Sequence, residues 1–184
     1  MNAEPDFYQQ IMEQLTQNTI DYLNLQKEAG IEVFQLFDTW GGILRRRDYA
    51  AKVLPYVQEI FKKVNLPSIY YLKNVAHLLD LMRETGADFL SACHSVMVGD
   101  KELLDLMPMG IQGNLYPGLL YADESVLEKE VGDILHRAQK HPRFIFNLSQ
   151  GVFPDVDVEK IKLVVNRVHA FDWNKNPYFI CPDK

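Results

Sequence analysis

The spacing of apolar residues along this chain switches repeatedly between a helical and a strand-like period. Between Asp6 and Lys27 the residues Phe7, Ile11, Leu15, Tyr22 and Leu23 recur at helical spacing, and Gly30 suits the left-handed position after a helix end. Ile31 to Phe37 is rich in β-branched and aromatic residues and too short for another helix, so it reads as a buried strand. The same order then repeats. Tyr49, Val53, Val57, Ile60 and Phe61 predict helix over 48–64, with Pro55 in the first turn of a second segment. Pro67 leads into a strand over Ser68 to Leu72, and a helix carrying Leu78, Leu79 and Met82 ends near Gly86. A third strand is expected at 87–92, a short helix at 101–106 and a fourth strand at 109–112.

Ser125 and Glu128 form an S-x-x-E capping signature ahead of Val131, Ile134, Leu135 and Ala138, which predicts a helix starting there. Arg143 to Asn147 is the fifth strand. Asp157 is placed to cap a last helix in which Val158, Ile161, Val164, Val165 and Val168 lie on one side. Residues 171–184, with Pro177 and Pro182, show no period and read as an irregular tail.

Apolar strands alternating with helices imply an α/β fold with a parallel sheet covered by helices. An open doubly wound sheet and a (β/α)8 barrel both fit this alternation. A barrel needs eight units and about 250 residues, so about five βα units in 184 residues make an incomplete barrel. The length fits one domain. A net charge of −6 disfavours the phosphates of a nucleic acid, and no apolar run reaches the length of a membrane span. With no leader pattern at the N-terminus, a cytoplasmic protein is expected. Cys93 and Cys181 are far apart and read as ordinary reduced thiols.

In parallel α/β folds, polar residues just past the strand C-termini face the ligand site. Four clusters stand there: Asp38, Thr39 and Trp40; Ser91 to Ser95; Gln112 to Asn114; and Asn147 to Gln150. Loop capping is the competing use for each of them. Arg45, Arg46 and Arg47 form a basic run best read as a salt-bridged helix start, and Lys73 follows the second strand as a surface lysine or as a group facing an anion at the mouth. His77, His94, His136, His141 and His169 share no ligand spacing, so no metal site is expected.

Three segments carry a family resemblance. VFQLFDTWGG over Val33–Gly42 is similar to a segment F-D-S-W-A-G, with Thr39 in the place of serine. QGNLYP over Gln112–Pro117 resembles Q-G-N-L-D-P, with Tyr116 for aspartate, and FIFNLSQG over Phe144–Gly151 resembles I-F-N-L-G-H-G, with Gln150 for histidine. In this order and spacing, joined by Leu54-Pro55-Tyr56 and by Thr85 to Asp88, they resemble the C-terminal portion of the uroporphyrinogen decarboxylase family.

The resemblance implies that residues 1–170 are the C-terminal part of such a barrel, from an enzyme that needs no cofactor, is a homodimer and removes the four acetate carboxyls of uroporphyrinogen. It further implies that Phe37, Asp38, Thr39, Asn147 and Gln150 contact a uroporphyrinogen- or coproporphyrinogen-type tetrapyrrole. The family's central aspartate and its R-Q-A-G-R-Y arginines belong to the N-terminal part and are not found in these 184 residues, so no catalytic residue is assigned to this chain. Gln150 can hydrogen-bond a carboxylate but cannot carry a proton near neutral pH. The chain alone is expected to be inactive, or to be a non-catalytic homologue that binds tetrapyrrole or self-associates. A sister family, the corrinoid-linked methyltransferases, places zinc ligands where this chain has Leu72-Lys73-Asn74 and Ser149-Gln150-Gly151, which leaves that alternative without its metal.

Overall fold

The computed structural model describes residues 3–173, so the predicted tail lies outside the described residues from 174 onward. Helix α1 (Pro5–Glu28) leads into β1 (Phe34–Asp38), α2 (Arg46–Lys52), α3 (Leu54–Lys63) and β2 (Ser68–Leu72). Then come α4 (Leu79–Met82), β3 (Phe89–Ser91), α5 (Lys101–Leu104), β4 (Gly110–Leu115), α6 (Glu124–Ala138), β5 (Phe144–Leu148) and α7 (Val158–His169). The five strands are parallel and ordered β1-β2-β3-β4-β5, with Phe34 opposite Ser68, Ile69 opposite Phe89, Phe89 opposite Gly110 and Ile111 opposite Phe144.

That order separates the two folds the sequence pattern allowed. A doubly wound sheet reverses its strand order and so puts helices on both faces. Here every crossover steps the same way, and right-handed crossovers that never reverse leave all helices on one face. The core lies accordingly between the sheet and that helical layer. Phe34, Tyr70, Leu72, Leu90 and Ile111 pack with Ile20, Tyr49, Val57 and Phe61 from the helices, and Leu115 packs with Leu127, Val131, Leu135 and Val164. Phe61 stacks on Phe34 at 5.8 Å and meets Tyr70 edge-on at 5.6 Å. The result is an arc of a (β/α)8 barrel.

Several expectations need correction. The first strand starts at Phe34 rather than Ile31, and only Phe34 of its five residues is fully buried, because β1 is an edge strand. In α1 Leu23 is buried as expected, but Phe7, Ile11, Leu15 and Tyr22 are exposed, and Thr16 and Ile20 are buried in their place. Its helical neighbour is α3, and among the described residues no further strand lies beyond β1. The helix over 48–64 breaks at Val53, with Pro55 in the first turn of α3 as expected. Strand β4 extends to Leu115, so Gln112 and Asn114 are paired in the ladder instead of following it. Helix α6 begins at Glu124 after the N-cap Asp123, which places Ser125 inside the helix. Asp157 does cap α7, its carboxylate accepting from the Glu159 N–H at 2.9 Å. The seam of α7 against α6 is Ile161, Val164 and Val168, while Val158 and Val165 are exposed.

Two outcomes follow from the open edges and from a buried histidine. Among the described residues β1 and β5 are unpaired parallel edges, and such edges recruit further strands, so sedimentation of the purified chain should show mass rising with concentration. Ile145→Lys, which puts a charge on the exposed face of β5, should reduce that rise. His141 is buried with Nδ1 donating to the Arg143 carbonyl at 3.1 Å and Nε2 unpartnered, and burial pushes its pKa below the usual histidine value. A lowered folded pKa means the unfolded chain binds the proton more readily. Its stabilising contribution is therefore complete above the free value of about 6.5 and falls as pH drops below it. Thermal melts at about pH 7.5 and 5.5 should show an acid-side loss that His141→Leu flattens.

Candidate functional site

Side chains alternate across a strand, and in β1 that alternation divides the predicted site residues between the two faces of the sheet. Gln35, Phe37 and Thr39 point to the concave face; Phe34, Leu36 and Asp38 point toward the helices. At the C-terminal ends of the strands the concave face holds a cavity of about 410 Å³. Phe37, Thr39, Asn147 and Gln150 all line it, so four of the five residues expected to meet a ligand converge from β1 and β5. Tyr71 on β2, Lys73 just past its end and Ser91 on β3 also line it.

The floor is a hydrogen-bonded lattice. Gln112 Nε2 donates to Gln35 Oε1 at 3.1 Å and to Ser91 Oγ at 3.0 Å, which ties β4 to β1 and β3. Strands β1 and β4 are three spacings apart, roughly 14 Å in a flat sheet, so this bridge exists only because the sheet curls. Tyr71 similarly reaches from β2 to the Ser149 carbonyl at 3.3 Å, and its ring meets Phe37 at 5.5 Å. Ser149 also receives His94, whose Nδ1 lies 3.1 Å from the Ser149 Oγ, which holds the β3 and β5 loops together beside Gln150.

Asp38 is not part of this cavity. Its Oδ2 accepts from the Tyr70 hydroxyl at 2.8 Å, and Tyr49 hydrogen-bonds Tyr70 at 2.8 Å behind it. Burial raises the Asp38 pKa above the usual carboxylate value, against the lowering effect of hydrogen bonds from Tyr70 and the Gly41 N–H. Burial also raises both tyrosines. These bonds tie Asp38, at the end of β1, to the helical side of the sheet, while Thr39, one residue on, faces the cavity.

The turn after Thr39 is fixed by close packing. A side chain at Gly42 would put its Cβ 1.8 Å from the Lys73 carbonyl oxygen, so only glycine permits that approach. This contact brings the Trp40 turn against the end of β2, where the Lys73 ammonium sits 5.7 Å from the centre of the Trp40 ring.

Other candidates resolve differently. Arg45, Arg46 and Arg47 are taken up by Asp48 and Asp80 at the start of α2. Asn114 turns away from the 410 Å³ cavity and donates to the carbonyls of Cys93 and Val96. It lines a larger cavity of about 710 Å³ between α4, α5 and α6, opened because α5 is only one turn long. That cavity contains none of the five expected residues and mixes Asp100, Glu102 and Glu130 with Arg137, so the smaller, concave one is the stronger site. Among the described residues no cluster of three metal-ligating side chains occurs, and no helix is long and apolar enough to cross a membrane. Gln35 and Tyr71 were missed in the sequence; the signal was there, since both sit two residues from Phe37 or Lys73 on a strand.

The family model described as uroporphyrinogen decarboxylase (URO-D) matches residues 1–171. A uroporphyrinogen decarboxylase from Geobacter sp. (strain M21) is 37% identical over 172 residues, covering 92% of this chain and 50% of that protein. The enzyme of the same name from Aquifex aeolicus (strain VF5) is 36% identical over 175 residues, covering 93% of this chain and 51% of its own length. The chain thus spans about half the length of the curated relatives it matches. A solved methyltransferase from Methanosarcina mazei superposes with a TM-score of 0.72 at 21% identity, over 83% of this chain and 46% of that one, which shows a shared fold.

Removing the Tyr70 hydroxyl tests the Asp38 anchor. Tyr70→Phe takes a donor from a half-buried carboxylate and leaves the buried Tyr49 hydroxyl without its partner, so urea unfolding should show a loss of about 1–3 kcal/mol.

Proposed function

The chain belongs to the uroporphyrinogen decarboxylase family, and from that premise we propose that its concave cavity is the substrate-facing portion of a decarboxylase barrel. The whole reaction converts uroporphyrinogen III to coproporphyrinogen III. At each of four acetate arms the bond from the methylene carbon to the carboxyl breaks, CO2 leaves, and a proton takes its place to give a methyl group. Protonation of the pyrrole provides the electron sink, and a nearby carboxylate stabilises the cation that forms.

The observation that carries this reading is the convergence of Phe37, Thr39, Asn147 and Gln150 in one cavity at the strand C-termini. The Thr39 hydroxyl and the amides of Asn147 and Gln150 donate to substrate carboxylates, while Phe37 and Tyr71 offer ring faces to a pyrrole. Asp38 drops out of the contact set and becomes the support of Thr39. The resemblance places the aspartate and arginines that drive the chemistry in the N-terminal part, so the proposed role of this chain is binding and orientation. Gln150, unable to transfer a proton, favours a second reading as a non-catalytic homologue that holds a tetrapyrrole. A cytoplasmic homodimer is the family's implied setting.

Purified chain should give no decarboxylation of uroporphyrinogen III above mock-purified controls. Coproporphyrinogen III, titrated under anaerobic reducing conditions, should bind in the high micromolar range or weaker, on the order of −5 kcal/mol. Thr39→Val and Gln150→Leu should each weaken it. Turnover by the chain alone, or binding indifferent to both substitutions, would sink the reading.

A further inference from the structure

We infer that Lys73 is the carboxylate anchor of the concave cavity, and that it leaves the face of Trp40 to take up that role. The inference rests on the substrate-facing reading of the cavity and names the one charge within it. Of the described residues that line the 410 Å³ cavity, Lys73 alone is charged; the others are amide, hydroxyl, aromatic, aliphatic or backbone. A cavity with one cation and no carboxylate selects an anion. Its neutral donors are already in place around that cation: Thr39 on β1, and Asn147 and Gln150 on β5.

The lysine is available. No ion pair to it occurs among the described residues, and its ammonium lies over the Trp40 ring, 5.7 Å from the centroid. Trp40 is 66% exposed, so this is a cation–π contact open to water. Such a contact is worth less than a charge-assisted hydrogen bond to a carboxylate. A bound carboxylate therefore wins the ammonium. The stem need not move its root, because the Lys73 backbone is locked against Gly42, and four flexible methylenes carry the charge between the two positions. The ligand class is a pyrrole bearing short carboxylate arms, with the ring against Phe37 and Tyr71 and an arm on Lys73.

Trp40 reports the exchange directly. The probe is a monopyrrole carrying one acetate and one propionate arm, titrated into Trp173→Phe protein so that Trp40 is the sole tryptophan. Its dimethyl ester serves as the uncharged control. The expected result is a saturable change in Trp40 emission with the diacid, weakening with added salt, and absent with the diester. Lys73→Met should weaken diacid binding about tenfold, the equivalent of ~1.4 kcal/mol, and remove the salt dependence. Lys73→Arg should retain both, and circular dichroism checks that each variant is folded. Diacid binding by Lys73→Met within about twofold of the parent, or no Trp40 response to the diacid in the parent, overturns the inference. If Thr39→Val and Gln150→Leu are silent while Lys73→Met is not, the anchor stands and the wider substrate-facing reading fails. The converse pattern keeps that reading and removes Lys73 from it.

Discussion

Everything in this molecule depends on a sheet that steps in one direction and curls as it goes. Each crossover moves to the next strand on the same side, so the helices are confined to one face and the other is left concave. Curvature is what lets Gln112 of β4 reach Gln35 of β1 across two intervening strands, and Tyr71 of β2 reach the loop after β5. Those two bridges close the floor of the cavity. A flat sheet of the same sequence would keep Ser91 beside its register partner Gln112 but leave Gln35 out of their reach.

The two-residue period of β1 then assigns opposite duties to neighbours in sequence. Asp38 faces the helical layer, where Tyr70 and Tyr49 hold it, and Thr39 faces the concave side. A motif that looks like one contiguous ligand-binding stretch is therefore divided between the two faces of the sheet. The Trp40 turn follows the same logic. Gly42 admits the Lys73 carbonyl, so the packing of two backbones also sets where the Lys73 ammonium can rest.

Much of this was legible in the residues. Apolar runs bounded by glycine and proline located all five strands, and Ser68–Leu72 is reproduced to the residue because it is a central strand buried on every position. The edges were harder. β1 and the exposed stripe of α1 carry apolar residues of the same kind as the core, and only the absence of a further strand beyond β1 in the described residues leaves them uncovered. The capping signature at Ser125 failed because Asp123 supplies an equally good helix start two residues earlier. For the site, the resemblance named segments of which Phe37, Thr39, Asn147 and Gln150 line one cavity, but the face of the strand had to be known before Asp38 could be separated from Thr39. The partnership of Lys73 with Trp40 joins two segments 33 positions apart, and no spacing rule in the sequence announces it.

The concave face also differs from the interior of a filled barrel. Barrel interiors are ordinarily filled by layers of bulky apolar side chains, and a piece cut from such a barrel would expose them. Here the middle of that face is built from Gln35, Ser91 and Gln112, which satisfy one another. Phe37, Ile145 and Val152 are among the large apolar groups it leaves open. The apolar core lies instead between strands and helices, inside the five units themselves. Within the described residues the core is thus contained by the five units, and the backbone edges of β1 and β5 are left unpaired. What a partner would supply is backbone pairing at β1 and β5, and it would meet a concave surface already polar enough to receive a carboxylate-bearing ligand instead of another apolar layer.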